Sequence, residues 1–132
     1  MDEMPRRILI IDDSDDLREG LAIRLKAEGY EVGSFGTGEG GLKAMAEQPF
    51  DLVLLDMVMP GKDCIETYQA LRAAPATRHT PVILMTAMAV ENHWEALPYD
   101  TDGPCYVTGK PSDMAMLVAR ITQLLAEVRG PN

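Results

Sequence analysis

Residues 8–16 read ILIIDDSDD, an apolar run that leads directly into four aspartates. The acids are Asp12, Asp13, Asp15 and Asp16, and Ser14 alone separates the two pairs. Two carboxylates about 4 Å apart repel each other by roughly 1 kcal/mol in water and by about 4 kcal/mol near a protein surface. A divalent cation would resolve this repulsion. Carboxylates without cysteine or histidine form a hard oxygen site, which suits Mg²⁺ or Mn²⁺.

Three more chemically active side chains each follow another apolar run. Asp56 follows LVLL, Thr86 follows VILM, and Lys110 follows YVTG. Each alone has an ordinary explanation as a capping or surface residue, but four runs that end in one kind of chemistry favour a shared site. A carboxylate can act as a nucleophile and become an aspartyl phosphate. A lysine and a threonine can then hold the phosphoryl oxygens, so the pattern indicates metal-assisted phosphoryl transfer.

The size and composition of the chain are typical of one compact domain. It has 132 residues, of which 46% are hydrophobic, enough for a substantial core. Its net charge of −9 makes direct binding to nucleic acid or to an anionic membrane unfavourable. We find neither an apolar run long enough to cross a membrane nor a secretory signal pattern. Cys64 and Cys105 form no CxxC pair, so we expect a reduced, cytoplasmic chain.

Short apolar runs alternate with amphipathic segments along the whole chain. Runs rich in Ile, Val and Leu are typical of strands buried on both faces, as in a parallel sheet. We predict strands at 7–11, 30–35, 51–55, 81–85 and 105–108. Helical spacing predicts helices from about Leu17 to a C-cap at Gly29, over 37–48 (weakened by Gly40 and Gly41), 63–73 and 90–97, and from an N-cap at Ser112 to about Val128.

This alternation predicts an α/β fold with an open, doubly wound sheet and right-handed crossovers. We expect five parallel strands flanked by about five helices. Ligands bind such sheets at the carboxyl ends of the strands, where the acids, Thr86 and Lys110 all fall.

The segments IIDDSDDLR, LVLLDMVMPG, VILMTA and YVTGKP, in this order and spacing, resemble the receiver domain of bacterial two-component response regulators. The resemblance extends from about Arg7 to Val128. Within the family, the chain is similar to the chemotaxis-regulator type. It implies a flavodoxin-like fold and a single receiver domain over residues 1–132, with a core at about 6–128. It also implies a signalling switch and not an enzyme that turns over an external substrate.

The resemblance implies a role for each acidic residue of the pocket. Asp56 would accept the phosphoryl group. Asp13 and Asp56 would ligate Mg²⁺ (or Mn²⁺) directly, together with the backbone carbonyl of Val58, and Asp12 would hold metal-bound water.

Outside the acids, the resemblance implies that Thr86 moves toward the phosphoryl group and that Lys110 pairs with it, with a cis Lys110–Pro111 bond. The donor would be a phosphohistidine on a sensor histidine kinase or a phosphotransfer protein, and an unknown downstream protein would read the altered surface.

Three features depart from the family pattern. Tyr106 lies four positions before Lys110 because Gly109 is extra, and we expect a bulge there that absorbs the added residue. This spacing leaves open whether Tyr106 is the switch aromatic. The interval between Thr86 and Lys110 is long, with proline where a longer helix is usual, so we expect an altered surface. Cys64 stands where glycine is usual.

Other protein classes fit less well. A haloacid-dehalogenase-type phosphatase needs an acid two residues after its nucleophile, where this chain has Val58. Counted from Asp12, an EF-hand calcium loop needs glycine at Leu17 and glutamate at Ile23. A nucleotide or flavin binder needs a phosphate loop where this chain has DDSDD. A receiver-like module that binds a protein without phosphorylation remains an alternative, although its scaffold would gain nothing from clustered acids.

Overall fold

The structure is a computed structural model, and it describes residues 6–56, 64–86, 95–96, 105–109 and 114–129. Strands and helices alternate along the chain. In order they are β1 (Arg7–Ile11), α1 (Asp15–Ala27), β2 (Glu31–Phe35), α2 (Gly38–Glu47), β3 (Leu52–Asp56), α3 (Cys64–Ala73), β4 (Val82–Thr86), β5 (Glu95–Ala96), β6 (Cys105–Gly109) and α4 (Met114–Arg129).

The strands form one sheet in the order β2-β1-β3-β4-β6-β5. The pairs β1–β2, β1–β3, β3–β4 and β4–β6 are all parallel. The predicted doubly wound parallel sheet of flavodoxin type is therefore confirmed, with five parallel strands and a short sixth strand, β5, paired antiparallel with β6. Strand order reverses beside β1, between β2 on one side and β3 on the other, and ligands bind such sheets at the carboxyl edge of this reversal.

Alternate residues of the buried strands supply two separate cores, one on each face of the sheet. Ile8 and Ile10 of β1 pack with α1 and α4, whereas Leu9 and Ile11 pack with α2 and α3. All four side chains are fully buried. This burial on both faces explains why the strands are continuous apolar runs without a polar side.

The ends of α1 lie close to the predicted ones: the helix begins at Asp15 and not at about Leu17, and its C-cap is Glu28, one residue before Gly29. The Ser14 hydroxyl accepts a hydrogen bond from the Leu17 N–H at 3.2 Å and caps the amino-terminal end of the helix. Gly29 follows the carboxyl-terminal end with φ +96°, a conformation that glycine adopts without steric penalty.

The two glycines that weaken the second predicted helix do not prevent it from forming. A Cβ on Gly41 would lie 2.4 Å from Ile11 Cδ1 and 2.7 Å from Ile11 Cγ1. The missing side chain thus allows α2 to pack closely against β1. Thr37 caps this helix by accepting a hydrogen bond from the Gly40 N–H at 3.0 Å.

The structure corrects the prediction between β4 and β6. A helix was expected over 90–97, but Glu95 and Ala96 form a short strand that pairs antiparallel with Val107 and Tyr106. Local spacing permitted a helix, and pairing with the otherwise open edge of β6 overrides that weak preference. The other residues of this segment, and Ser112, lie outside the described residues. The described residues form four helices, against about five expected, and none is long and apolar enough to cross a membrane.

Candidate metal centre

Three carboxylates meet at the carboxyl edge of the sheet. Asp12 and Asp13 directly follow β1, and Asp56 is the last residue of β3. Because β1 and β3 are neighbours, with Ile11 paired to Leu55, their ends bring the acids together. One carboxylate oxygen from each aspartate lies within 4.8 Å of the other two.

The pocket combines buried and exposed acids. Asp12 and Asp56 are 0% and 1% exposed, while Asp13 is exposed to solvent. Burial removes water from charges that already repel each other, so the charged form needs compensation. Three carboxylates with an opening to solvent fit Mg²⁺ or Mn²⁺, which bind through a few protein oxygens and keep some of their water. The three carboxylates therefore match the oxygen ligands that such an ion prefers.

Backbone contacts fix the loop that carries the first two acids. The Ser14 N–H donates to Asp12 Oδ1 at 2.8 Å, a local turn that aspartate commonly makes with the backbone two residues on. The Asp12 N–H donates to the Phe35 carbonyl at 3.1 Å and continues the ladder of hydrogen bonds toward β2. The carboxylate of Asp12 is therefore held by the same loop that starts α1.

The remaining predicted site residues are located only in part. Asp56 pairs with Met85, and Thr86 pairs with Gly109, so the ends of β4 and β6 lie at the same edge as Asp56. The structure places Thr86 at this edge through its backbone. Val58, Lys110 and Pro111 lie outside the described residues, and their roles stay predictions.

The bulge expected from the extra glycine is absent from the described part of β6. Residues Cys105 to Gly109 pair with Val82 to Thr86 in five consecutive steps without interruption. The extra residue, Gly109, is the last residue of β6 and pairs with Thr86. Tyr106 is half-buried, pairs with Ile83 and packs against the core beneath α1 and α4.

Sequence reasoning missed two polar residues, Arg18 and Ser34, that join the start of α1 to the carboxyl end of β2. Arg18 forms an ion pair with Asp15, and its Nη1 lies 3.3 Å from Ser34 Oγ. The three-residue spacing of Asp15 and Arg18 on a helix is a signal for the ion pair. The contact to Ser34 has no local signal, because it depends on the pairing of β1 with β2.

Several curated proteins are similar to this chain. Transcriptional activator protein PfeR of Pseudomonas aeruginosa is 37% identical over 123 residues, which are 93% of this chain and 39% of that protein. Response regulator PleD of Caulobacter vibrioides is 36% identical over 92% of this chain and 26% of that protein. DNA-binding response regulator MtrA of Mycolicibacterium smegmatis is 36% identical over 92% and 51%. The chain thus spans about a quarter to a half of these relatives.

Solved structures show the same fold. A putative response regulator from Chloroflexus aurantiacus has a TM-score of 0.78 and 28% identity, with 93% of this chain and 99% of that chain covered. The receiver domain of the hybrid histidine kinase CckA has a TM-score of 0.71 and 30% identity, with 90% and 98% covered.

A sequence model of the response regulator receiver domain matches residues 8–122, which include every acid of the pocket. This match spans most of the chain, and relatives above 30% identity cover more than nine-tenths of it. The chain belongs to the response regulator receiver domain family.

Proposed function

We propose that this receiver domain is a phosphorylation-controlled signalling switch of the cytoplasm. Asp56 accepts a phosphoryl group from a phosphohistidine on a sensor histidine kinase or a phosphotransfer protein. The surface that changes in response is read by a downstream protein. The observation that carries the proposal is the convergence of Asp12, Asp13 and Asp56 within 4.8 Å at the switch point of the sheet.

In this proposal, the side chains divide the phosphoryl transfer among them. An Asp56 carboxylate oxygen attacks phosphorus, the P–O bond forms as the donor's P–N bond breaks, and the donor imidazole leaves. Asp13, Asp56 and the Val58 carbonyl would hold Mg²⁺ or Mn²⁺, and Asp12 would hold metal-bound water. When bound, the cation supplies positive charge that offsets the phosphoryl oxygens.

Thr86 and Lys110 would respond to the new charge on Asp56. The Lys110 ammonium pairs with one phosphoryl oxygen, and the Thr86 hydroxyl donates to another. This pull on the ends of β4 and β6 changes the surface that follows them, which is how added phosphate acts as a switch.

The same residues make the domain promote its own phosphorylation and, with water as the acceptor, its dephosphorylation. Family members act as signalling switches and not as enzymes with an external substrate, so the proposed product is the phosphorylated domain itself. With a net charge of −9, a protein surface is a more suitable partner for this chain than nucleic acid.

The test is incubation with a small phosphodonor and Mg²⁺, followed by intact-mass measurement. We expect one added phosphate in the wild type, none in Asp56→Asn, and none when a chelator removes Mg²⁺. Asp16→Asn is the matched control, since Asp16 is an exposed acid on the first turn of α1. Absence of uptake in the wild type would overturn the proposal in favour of a protein-binding module that works without phosphorylation.

A further inference from the structure

One side chain connects the first turn of α1 to the carboxyl end of β2. The Arg18 guanidinium forms an ion pair with Asp15 through Nη2 and donates from Nη1 to Ser34 Oγ at 3.3 Å. A Cβ on Gly36 would lie 3.5 Å from Nη2, so the guanidinium also lies over the residue that follows β2.

Among the described residues, this contact and one backbone hydrogen bond join the acidic loop and the start of α1 to β2. The Asp12 N–H donates to the carbonyl of Phe35 at the start of the loop, and Arg18 reaches Ser34 from beyond its end. The loop between them carries Asp12 and Asp13, and its Ser14 N–H binds the Asp12 carboxylate. Two consecutive residues of β2 are therefore hydrogen-bonded at the start of this loop and just beyond its end.

The arrangement is not the most favourable one for the arginine itself. Its Nε is buried and has no hydrogen-bond partner among the described residues. A buried donor without an acceptor opposes folding. The ion pair to the exposed Asp15 adds little stability, because surface ion pairs contribute weakly.

We propose that Arg18 and Ser34 are positioning residues for the metal-binding loop. This inference rests on the proposed function, because the pocket is the one that would bind Mg²⁺. Loss of the Arg18–Ser34 contact frees the end of the loop, so that Asp12 and Asp13 are presented less well to the cation. Groups behind metal ligands commonly tune affinity in this way.

Substitutions at Ser34 test the contact without a change in charge. Thr and Val have nearly the same shape, but only Thr keeps the hydroxyl that Arg18 contacts. In Ser34→Val we expect the dissociation constant for Mg²⁺, measured by calorimetric titration, to rise by up to about tenfold, the lower end of the range for groups behind metal ligands. Ser34→Thr restores it to within about twofold of wild type. The difference persists at high ionic strength, since no charge differs between the two variants.

Arg18→Lys gives a second measurement. It keeps the charge but lacks the planar fork that reaches both partners, so we expect weaker Mg²⁺ binding here too. Melting curves by circular dichroism in chelator identify the folded variants. If Ser34→Val does not fold, Arg18→Lys decides, and wild-type affinity in that variant overturns the inference.

The outcomes separate this inference from the proposed function. If the wild type takes phosphate on Asp56 while the Val and Thr variants bind Mg²⁺ equally, the inference is wrong and the proposed function stands. If the Val and Thr variants differ but the wild type takes no phosphate, the inference stands and the proposed function is wrong. A wild type without Mg²⁺ affinity overturns both.

Discussion

Asp13 is the exposed member of the acidic pocket, while Asp12 and Asp56 are buried. All three have a carboxylate oxygen within 4.8 Å of the others. Repulsion at this distance destabilises the fold when no cation is bound, and it is the same negative charge that would attract Mg²⁺.

Asp13→Asn is expected to change stability in opposite directions with and without Mg²⁺. In chelator the variant should be more stable than wild type by about 0.5–1 kcal/mol, because one repulsive charge is gone. In Mg²⁺ the order should reverse, because the variant has lost a ligand. Denaturant unfolding under both conditions measures the two differences, with Asp16→Asn as the exposed control. Greater stability of wild type in chelator would contradict the repulsion argument.

The acids of the pocket could be predicted from sequence because they lie at the carboxyl ends of two apolar strands, Asp12 and Asp13 after β1 and Asp56 as the last residue of β3. Asp12 and Asp56 needed only two recognisable apolar runs and the rule that parallel strands end at one edge. The Arg18–Ser34 contact could not be predicted in this way. It joins α1 to the strand that follows it in the chain, but Arg18 and Ser34 are far enough apart in sequence that no local spacing predicts which side chains meet.

At the scale of elements, the fit between α2 and β1 depends on Gly41. A Cβ at this position would overlap two atoms of Ile11, whose side chain is fully buried and immediately precedes Asp12. The close contact between α2 and β1 is therefore made by the residue that directly precedes the acidic loop.

Gly41→Ala should destabilise the protein by about 1–2 kcal/mol. The strain of overpacking, about 1–3 kcal/mol, exceeds the gain of up to about 1 kcal/mol from replacing glycine in a helix. Ile11→Val removes the overlapping Cδ1 but keeps a γ carbon in the place of Cγ1, so on that background Gly41→Ala should cost less than it does in the wild type. A double-mutant cycle from denaturant unfolding measures the coupling. Simple addition of the two single effects would show that the contact is not the cause.

Arg72 organises the connection from α3 to β4 at the opposite edge of the sheet. Its Nη1 donates to the carbonyls of Thr77, Arg78 and Thr80 at 3.5, 3.1 and 2.6 Å. Its guanidinium carbon lies 5.1 Å from the centre of the Tyr68 ring, and Nε donates to the Tyr68 hydroxyl at 3.3 Å. One side chain thus satisfies several backbone acceptors of an irregular segment.

Arg72→Met is expected to destabilise the protein by about 2 kcal/mol, because it keeps the aliphatic stem and leaves these carbonyls without a charged donor. Arg24→Met is the matched control, since Arg24 is exposed on the last turn of α1 and should cost a few tenths of a kcal/mol. Urea unfolding of both variants gives the comparison. Equal losses would mean that the Arg72 contacts add no stability beyond that of a surface arginine.

The elements differ in how far sequence could predict them. The parallel strands were predictable because their apolar runs reflect burial on both faces. The second helix was predicted despite its glycines. The role of Gly41 could not be predicted, because it depends on the close contact between α2 and Ile11 of β1. The short strand at Glu95–Ala96 was missed because two residues carry no periodicity, and its pairing depends on the edge of β6.

At the scale of the whole molecule, charge is distributed unevenly between the two edges of the sheet. At the amino edge, Arg7 Nε pairs with Glu31 at 2.7 Å, and the Arg7 N–H donates to Asp51 at 2.7 Å. At the carboxyl edge, three like charges cluster in one pocket. Monovalent salt should therefore weaken the repulsion that arises from the net charge of −9 over the whole molecule. A bound divalent cation should instead neutralise the repulsion among the three acids of the pocket.

MgCl₂ should stabilise the protein more than NaCl at the same ionic strength. Monovalent salt only screens repulsion, whereas Mg²⁺ at about ten times its dissociation constant adds about 1.4 kcal/mol by binding the native state alone. The Asp12→Asn/Asp13→Asn double variant should respond equally to both salts, because only screening is left. Thermal unfolding across matched salt series measures this difference. An equal response of the wild type to both salts would mean that its acids are stabilised by screening alone, so that the pocket is not a specific site for the cation.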